Sequence, residues 1–203
     1  MCARDLLLLV FFIGWFSGTG YGSVSFSSLQ RTLLVTASPK EGQVLKAGED
    51  NITVRWAMNQ SYPPGTDSSY AAVRVRLCYA PASQVDRPWR KTQDDLGKDK
   101  TCPFAILSQP YHSSRPGARV ALWTVHRDVP SAAYFVRAYA VDSRGREVAY
   151  GQSAEGEKSG NMFVVEAVAT GLAALDIAAA CFSAVSLASL LAFLLAERRM
   201  TGK

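Results

Sequence analysis

YAAVRVRLCYA, residues 70–80, alternates apolar and polar side chains with the two-residue period of a half-buried β-strand. Ala71, Val73, Val75, Leu77 and Tyr79 fall on one face, and Arg74, Arg76 and Cys78 on the other. NITVRWAM, residues 51–58, repeats the pattern, with Ile52, Val54 and Trp56 set against Thr53 and Arg55. In AYFVRAYAVDSRG, residues 133–145, Tyr134, Val136, Ala138 and Ala140 alternate with Phe135, Arg137 and Tyr139. Further strands are expected over Thr32 to Ala37, Arg119 to His126 and Glu147 to Gln152.

Pro39, Gly42, Gly48, Pro63-Pro64-Gly65, Pro116-Gly117 and Ser143-Arg144-Gly145 punctuate these runs as turns. About seven short strands separated this way predict an all-β chain, an immunoglobulin- or fibronectin-like β-sandwich with Trp56 in its core. No strand pattern is visible between Pro81 and about Gln109, so this connection is read as a long loop.

The ends place the sandwich relative to a membrane. Leu6 to Phe16 is a short apolar run followed by Gly20 and Gly22, the arrangement of a secretory signal cleaved near residue 22. Ile177 to Leu195 carries no charged residue and, at about 1.5 Å of rise per helical residue, spans about 28 Å, a bilayer core. Glu197, Arg198, Arg199 and Lys203 follow it, and this basic end favours the cytoplasmic side. The expected order is a signal peptide at 1–22, an extracellular domain at 23–165, a transmembrane helix at 172–196 and a short cytoplasmic tail at 197–203.

That topology puts Cys78 and Cys102 alone together in an oxidising compartment, because Cys2 leaves with the signal and Cys181 lies in the span. The two are expected to pair, closing a loop worth roughly 3 kcal/mol in the chain-entropy model. Between them the chain holds five basic and four acidic residues and little apolar matter. A solvated surface loop and a recognition loop on a rigid scaffold both fit this composition. Two glycosylation acceptors also fit the lumenal side, Asn51-Ile52-Thr53 and Asn59-Gln60-Ser61. The strand starting at Asn51 is read as crowding a glycan there, which favours Asn59.

No catalytic constellation, metal site or cofactor motif is found. His112 and His126 are the two histidines, and no CxxC occurs. GQSAEG, residues 151–156, has the wrong spacing for a nucleophile elbow. The formal net charge is +5, with signs interspersed rather than gathered into the basic stripe of a nucleic-acid binder.

LCYAPASQVDRPWRK (77–91), DDLGKDKTC (94–102), WTVHRDVPSAAYFVRAYAVDSRG (123–145) and SPKEGQVLKAGEDNITVRW (38–56) resemble the plant high-affinity nitrate transporter-activating proteins. The resemblance implies a non-enzymatic accessory subunit at the plasma membrane that associates with a major-facilitator nitrate transporter. It gives the Cys78–Cys102 loop a purpose, electrostatic docking, in which charge pairing fixes register and partner choice. On that reading Arg90 and Asp99 are the leading partner-binding residues, followed by Asp86, Arg87, Lys91, Asp94 and Asp95. Trp89 is either an apolar anchor beside them or a residue that packs the loop on the sandwich. Asp176 would lie at the outer membrane boundary or pair with a transporter group. The competing function is a cell-surface recognition protein that binds a glycan or peptide through its loops.

Overall fold

The computed structural model describes residues 23–113, 117–155, 159–168 and 173–201. The expected signal peptide lies outside the described residues. The chain forms two units, residues 1–166 and 167–203.

The first unit is all β. Its strands are β1 (Leu33–Ala37), β2 (Val44–Lys46), β3 (Asn51–Met58), β4 (Ala72–Tyr79), β5 (Phe104–Pro110) and β6 (Arg119–Thr124). They continue with β7 (Ala132–Val141), β8 (Glu147–Gln152), β9 (Ala154–Glu155), β10 (Ser159–Gly160) and β11 (Phe163–Glu166). A small antiparallel sheet runs β1-β3-β6. A larger one runs β2-β11-β7-β4-β5, and β8 also pairs with β7. Beside them, β9 and β10 form a short two-stranded ribbon. In the larger sheet only the β11–β2 pairing is parallel.

The period-two alternation explains why the two main sheets stack. Leu33, Val35, Ile52, Val54, Trp56 and Trp123 of the small sheet meet Val73, Val75, Leu77, Tyr134, Val136, Phe163 and Val165 of the large one in a single core. Fully burying each such aliphatic side chain contributes roughly 1.5–3 kcal/mol. The Tyr134 hydroxyl donates to the Pro130 carbonyl at 2.7 Å, tying β7 to the turn before it, as the tyrosine corner does in immunoglobulin-like sandwiches. Two residues on, Val136 stands where antibody domains carry an inter-sheet cysteine.

Two expectations are corrected. β5 lies inside the stretch read as strandless, so the connection after β4 ends at Pro103 rather than near Gln109. FAILSQP hides its strand because the β4–β5 register shifts between Val75 and Arg76, which breaks the alternation. Cys78 also does not face solvent; it is fully buried on the outer face of β4. That outer face is covered, and β7 is buried on both faces from Tyr134 to Val141.

Gly151 marks a close approach of β8 to β1. A Cβ there would collide with the Leu33 carbonyl of β1, so the glycine of the GQS motif is a packing requirement, not a nucleophile turn.

The second unit is one helix, α1 (Ala173–Thr201), with Asp176 in its first turn and Arg198 and Arg199 in its last. Both placements favour the helix dipole. Its stretch Leu175–Arg199 is long and apolar enough to cross a membrane.

Candidate functional site

The covered outer face of β4 and β7 carries the site. Arg76 on β4 stands directly opposite Arg137 on β7, a like-charge pair that is unfavourable unless compensated. Compensation comes from the loop between β4 and β5. Asp99 Oδ2 lies 4.0 Å from Arg137 Nη1, and both side chains are more than nine-tenths buried. The Arg76 guanidinium donates to the Cys102 carbonyl at 3.1 Å.

A disulfide joins Cys78 to Cys102 and fixes both ends of the loop against the sheet. Inside the loop two side chains act as hubs. Gln84 donates to the Tyr79 carbonyl at 2.9 Å and accepts from the Thr92 N–H and hydroxyl at 3.0 and 2.7 Å. Asp99 Oδ1 accepts from the N–H groups of Gln93 and Thr101 at 3.2 and 3.1 Å and from the Thr101 hydroxyl at 2.6 Å. Backbone donors that no strand could satisfy are thus satisfied by two polar side chains, which answers how so polar a segment stays ordered.

The chain's first described residues complete the cover. The Phe26 and Leu96 N–H groups donate to the carbonyls of Asp94 and Val24 at 2.6 and 2.9 Å. Asp94 accepts from the Ser27 N–H at 2.8 Å and contacts the Ser25 hydroxyl. The Ser25 hydroxyl and the Ser27 N–H hold the Asp94 carboxyl below its usual carboxylate value. Asp95 caps the next turn, accepting from the Gly97 N–H at 3.0 Å and facing Lys98 Nζ at 3.3 Å. The Phe26 ring sits 4.4 Å from the Arg137 guanidinium carbon and 4.6 Å from the Tyr150 ring.

These contacts sort the residues singled out from sequence. Asp99 is turned inward as a structural partner of Arg137, and Asp94 and Asp95 hold loop and N-terminal segment together. Arg90 is 8% exposed; its guanidinium carbon lies 4.3 Å over the Tyr79 ring, and Nη1 reaches the Ser83 carbonyl at 3.5 Å. Its Nε has no hydrogen-bond partner among the described residues. Neither leading residue presents its charge to solvent.

Asp86, Arg87, Trp89 and Lys91 are exposed within one six-residue stretch of the loop, here called its tip, with Arg90 buried between them. A short 3-10 turn at Pro81–Ser83 precedes this stretch and a second, Pro88–Arg90, lies within it, each opened by proline. Asp86 turns the chain with φ of 56°, a left-handed conformation that Asp tolerates better than most residues. Trp89 and Val85 are 64% and 65% exposed, so Trp89 is not packed on the sandwich. Val85 was not singled out from sequence, because a lone valine among charges carries no periodic signal.

At the other end of β4 is a cleft of about 500 Å³, lined among others by Trp56, Tyr62, Asp67, Tyr111 and Arg119, with Asn59 on its wall. The Tyr111 hydroxyl donates to Asp67 at 2.6 Å, and desolvation by burial together with that carboxylate pushes its phenol well above the ordinary value. Among the described residues no group of His, Cys, Asp or Glu is arranged to hold a metal ion.

Residues 26–170 match the family model described as NAR2, high-affinity nitrate transporter accessory, Ig-like domain. The chain is 47% identical to high-affinity nitrate transporter-activating protein 2.1 of Oryza sativa subsp. japonica, over 89% of this chain and 84% of the relative. It is 46% identical to high-affinity nitrate transporter 3.1 of Arabidopsis thaliana, over 86% of this chain and 83% of the relative. It is 42% identical to high-affinity nitrate transporter 3.2 of the same plant, over 95% and 91%. A tyrosine-cornered sandwich, an apolar C-terminal helix and these similarities converge: the chain belongs to the NAR2 family of high-affinity nitrate transporter accessory proteins.

Proposed function

We propose that this chain is a non-catalytic subunit that binds a major-facilitator high-affinity nitrate transporter and enables its plasma-membrane targeting, stability and nitrate uptake. It needs no cofactor. The sandwich faces the lumen and then the cell exterior, with α1 as a single type I span and the basic end in the cytoplasm. One sandwich and one span cannot enclose a solute path, so the transported anion passes through the partner.

The observation that carries the docking mode is the exposed tip of the disulfide-closed loop. Trp89 and Val85 are the large apolar side chains it offers. Asp86, Arg87 and Lys91, also exposed, put both signs of charge beside them in the chain. A solvent-exposed Trp amid charges, on a loop fixed at both ends, has the composition of an interface hot spot with a polar rim. Arg90 and Asp99 act as positioning residues, holding the tip through Tyr79 and Arg137.

The test is nitrate influx in oocytes expressing this chain, a high-affinity transporter, or both. Influx only with both, and association of the two in detergent, is the expected result. No gain across several transporters, together with a soluble glycan or peptide bound in the Trp56–Tyr111 cleft, would instead favour a surface recognition protein.

A further inference from the structure

The outer face of the small sheet exposes the apolar side chains Leu34, Val120 and Leu122 among polar ones, and one glycosylation acceptor stands on it. In the β3–β6 register Asn51 pairs with Thr124, Thr53 with Leu122 and Arg55 with Val120. In the β1–β3 register Leu34 pairs with Ala57 and Thr36 with Arg55. All of these side chains share the face away from the core, because Ile52, Val54 and Trp56 take the other one. Leu34, Val120 and Leu122 are each more than half exposed, and Arg55 is the single charge among the paired residues named. β6 is moreover an edge strand. Exposed apolar side chains beside an open strand edge favour aggregation unless covered.

Asn51 begins β3 on this same face and is exposed, contrary to the expectation that the strand start would crowd a glycan. Its Oδ1 accepts from the Thr124 hydroxyl at 2.6 Å, a bond that survives substitution on Nδ2 and fixes the amide's direction. Leu122 is the diagonal cross-strand neighbour of Asn51, within reach of a large substituent. Asn59 differs: it is half-buried, and its Oδ1 closes a local turn on the Ser61 N–H at 3.0 Å.

We propose that Asn51 carries an N-linked oligosaccharide that covers the exposed apolar side chains of this face, Leu34, Val120 and Leu122. The transfer joins the anomeric carbon of the sugar to Nδ2 and breaks its bond to the pyrophosphate of a polyprenyl-linked donor. The displaced amide proton leaves with that pyrophosphate. This inference rests on the lumenal placement of the sandwich given above.

The experiment uses the full-length chain made in plant cells, with Asn51→Gln, Thr53→Ala, Thr53→Ser and Asn59→Gln variants. Cys78 and Cys102 that resist alkylation until reduced establish lumenal placement independently, so a missing glycan cannot be mistaken for wrong topology. Asn51→Gln and Thr53→Ala should each lose one glycosidase-sensitive mobility step that Thr53→Ser keeps. The aggregated fraction in detergent should rise several-fold in both, and adding Val120→Thr with Leu122→Thr should return it to the wild-type level. Protected thiols with no mobility change in Asn51→Gln would overturn the proposal. So would loss of the glycan without aggregation, or aggregation that the two threonines do not reverse.

Discussion

The carboxylate of Asp99 and the guanidinium of Arg137 lie 4.0 Å apart beneath a disulfide-closed loop, each side chain more than nine-tenths buried. Buried pairs of this kind add little against an apolar substitute, but breaking one strands the other charge at a cost of about 3–5 kcal/mol. Asp99→Ala should therefore destabilise the sandwich by about that much, and Asp99→Ala with Arg137→Met by clearly less. Thermal melts of the full chain in detergent would show this non-additivity. Equal losses in the single and double variants would mean that Asp99 acts only through its bonds to Gln93 and Thr101.

Gly151 gives a second test. A methyl group at that position must displace the Leu33 carbonyl, which is backbone and cannot swing aside. Gly151→Ala should cost about 1–3 kcal/mol, the range for overpacked cores. The same change at Gly65, a turn glycine with open space around it, would strain only the local backbone, where φ is 86°.

How much of this could be read in the residues differs by element. β3, β4 and β7 announce themselves because apolar residues recur at every second position over eight or more residues. The short strands β2, β9, β10 and β11 have too few residues to show a period, and β5 is interrupted by its register shift. The cysteine pair could be placed from compartment and count alone. What could not be read was the direction of the loop's charges. Arg87 and Arg90 are three residues apart in one polar run, yet one is exposed and the other lies over Tyr79. Only tertiary contact with the outer sheet face decides between them. Ser25 and Phe26 were missed for the same reason: their partner, Asp94, is far away in sequence.

The N-terminal clasp should be sensitive to acid. The Asp94 carboxyl is lowered in the folded state by the Ser25 hydroxyl and the Ser27 N–H. A group with a depressed folded value stabilises fully above its unfolded value, about 3.9 for Asp, and loses that contribution as pH falls through the folded one. Protection of the Phe26 and Ser27 amides relative to a free peptide at the same pH should hold from neutral pH to about pH 5 and fall below about pH 4. Asp94→Asn should remove the pH step. Protection that falls between about pH 7 and about pH 5 would assign the clasp to another group.

If the loop tip docks the transporter, Trp89→Ala should break that docking without unfolding the sandwich. Transporter association in detergent and nitrate influx would be measured beside the melting temperature of the chain. Removing an interface hot spot costs about 2 kcal/mol or more, about 30-fold in affinity. That loss is expected with an unchanged melting temperature and an intact Cys78–Cys102 disulfide, since 64% of Trp89 is exposed. Undiminished association and influx, with Trp89→Ala as stable as the wild type, would contradict docking through this loop.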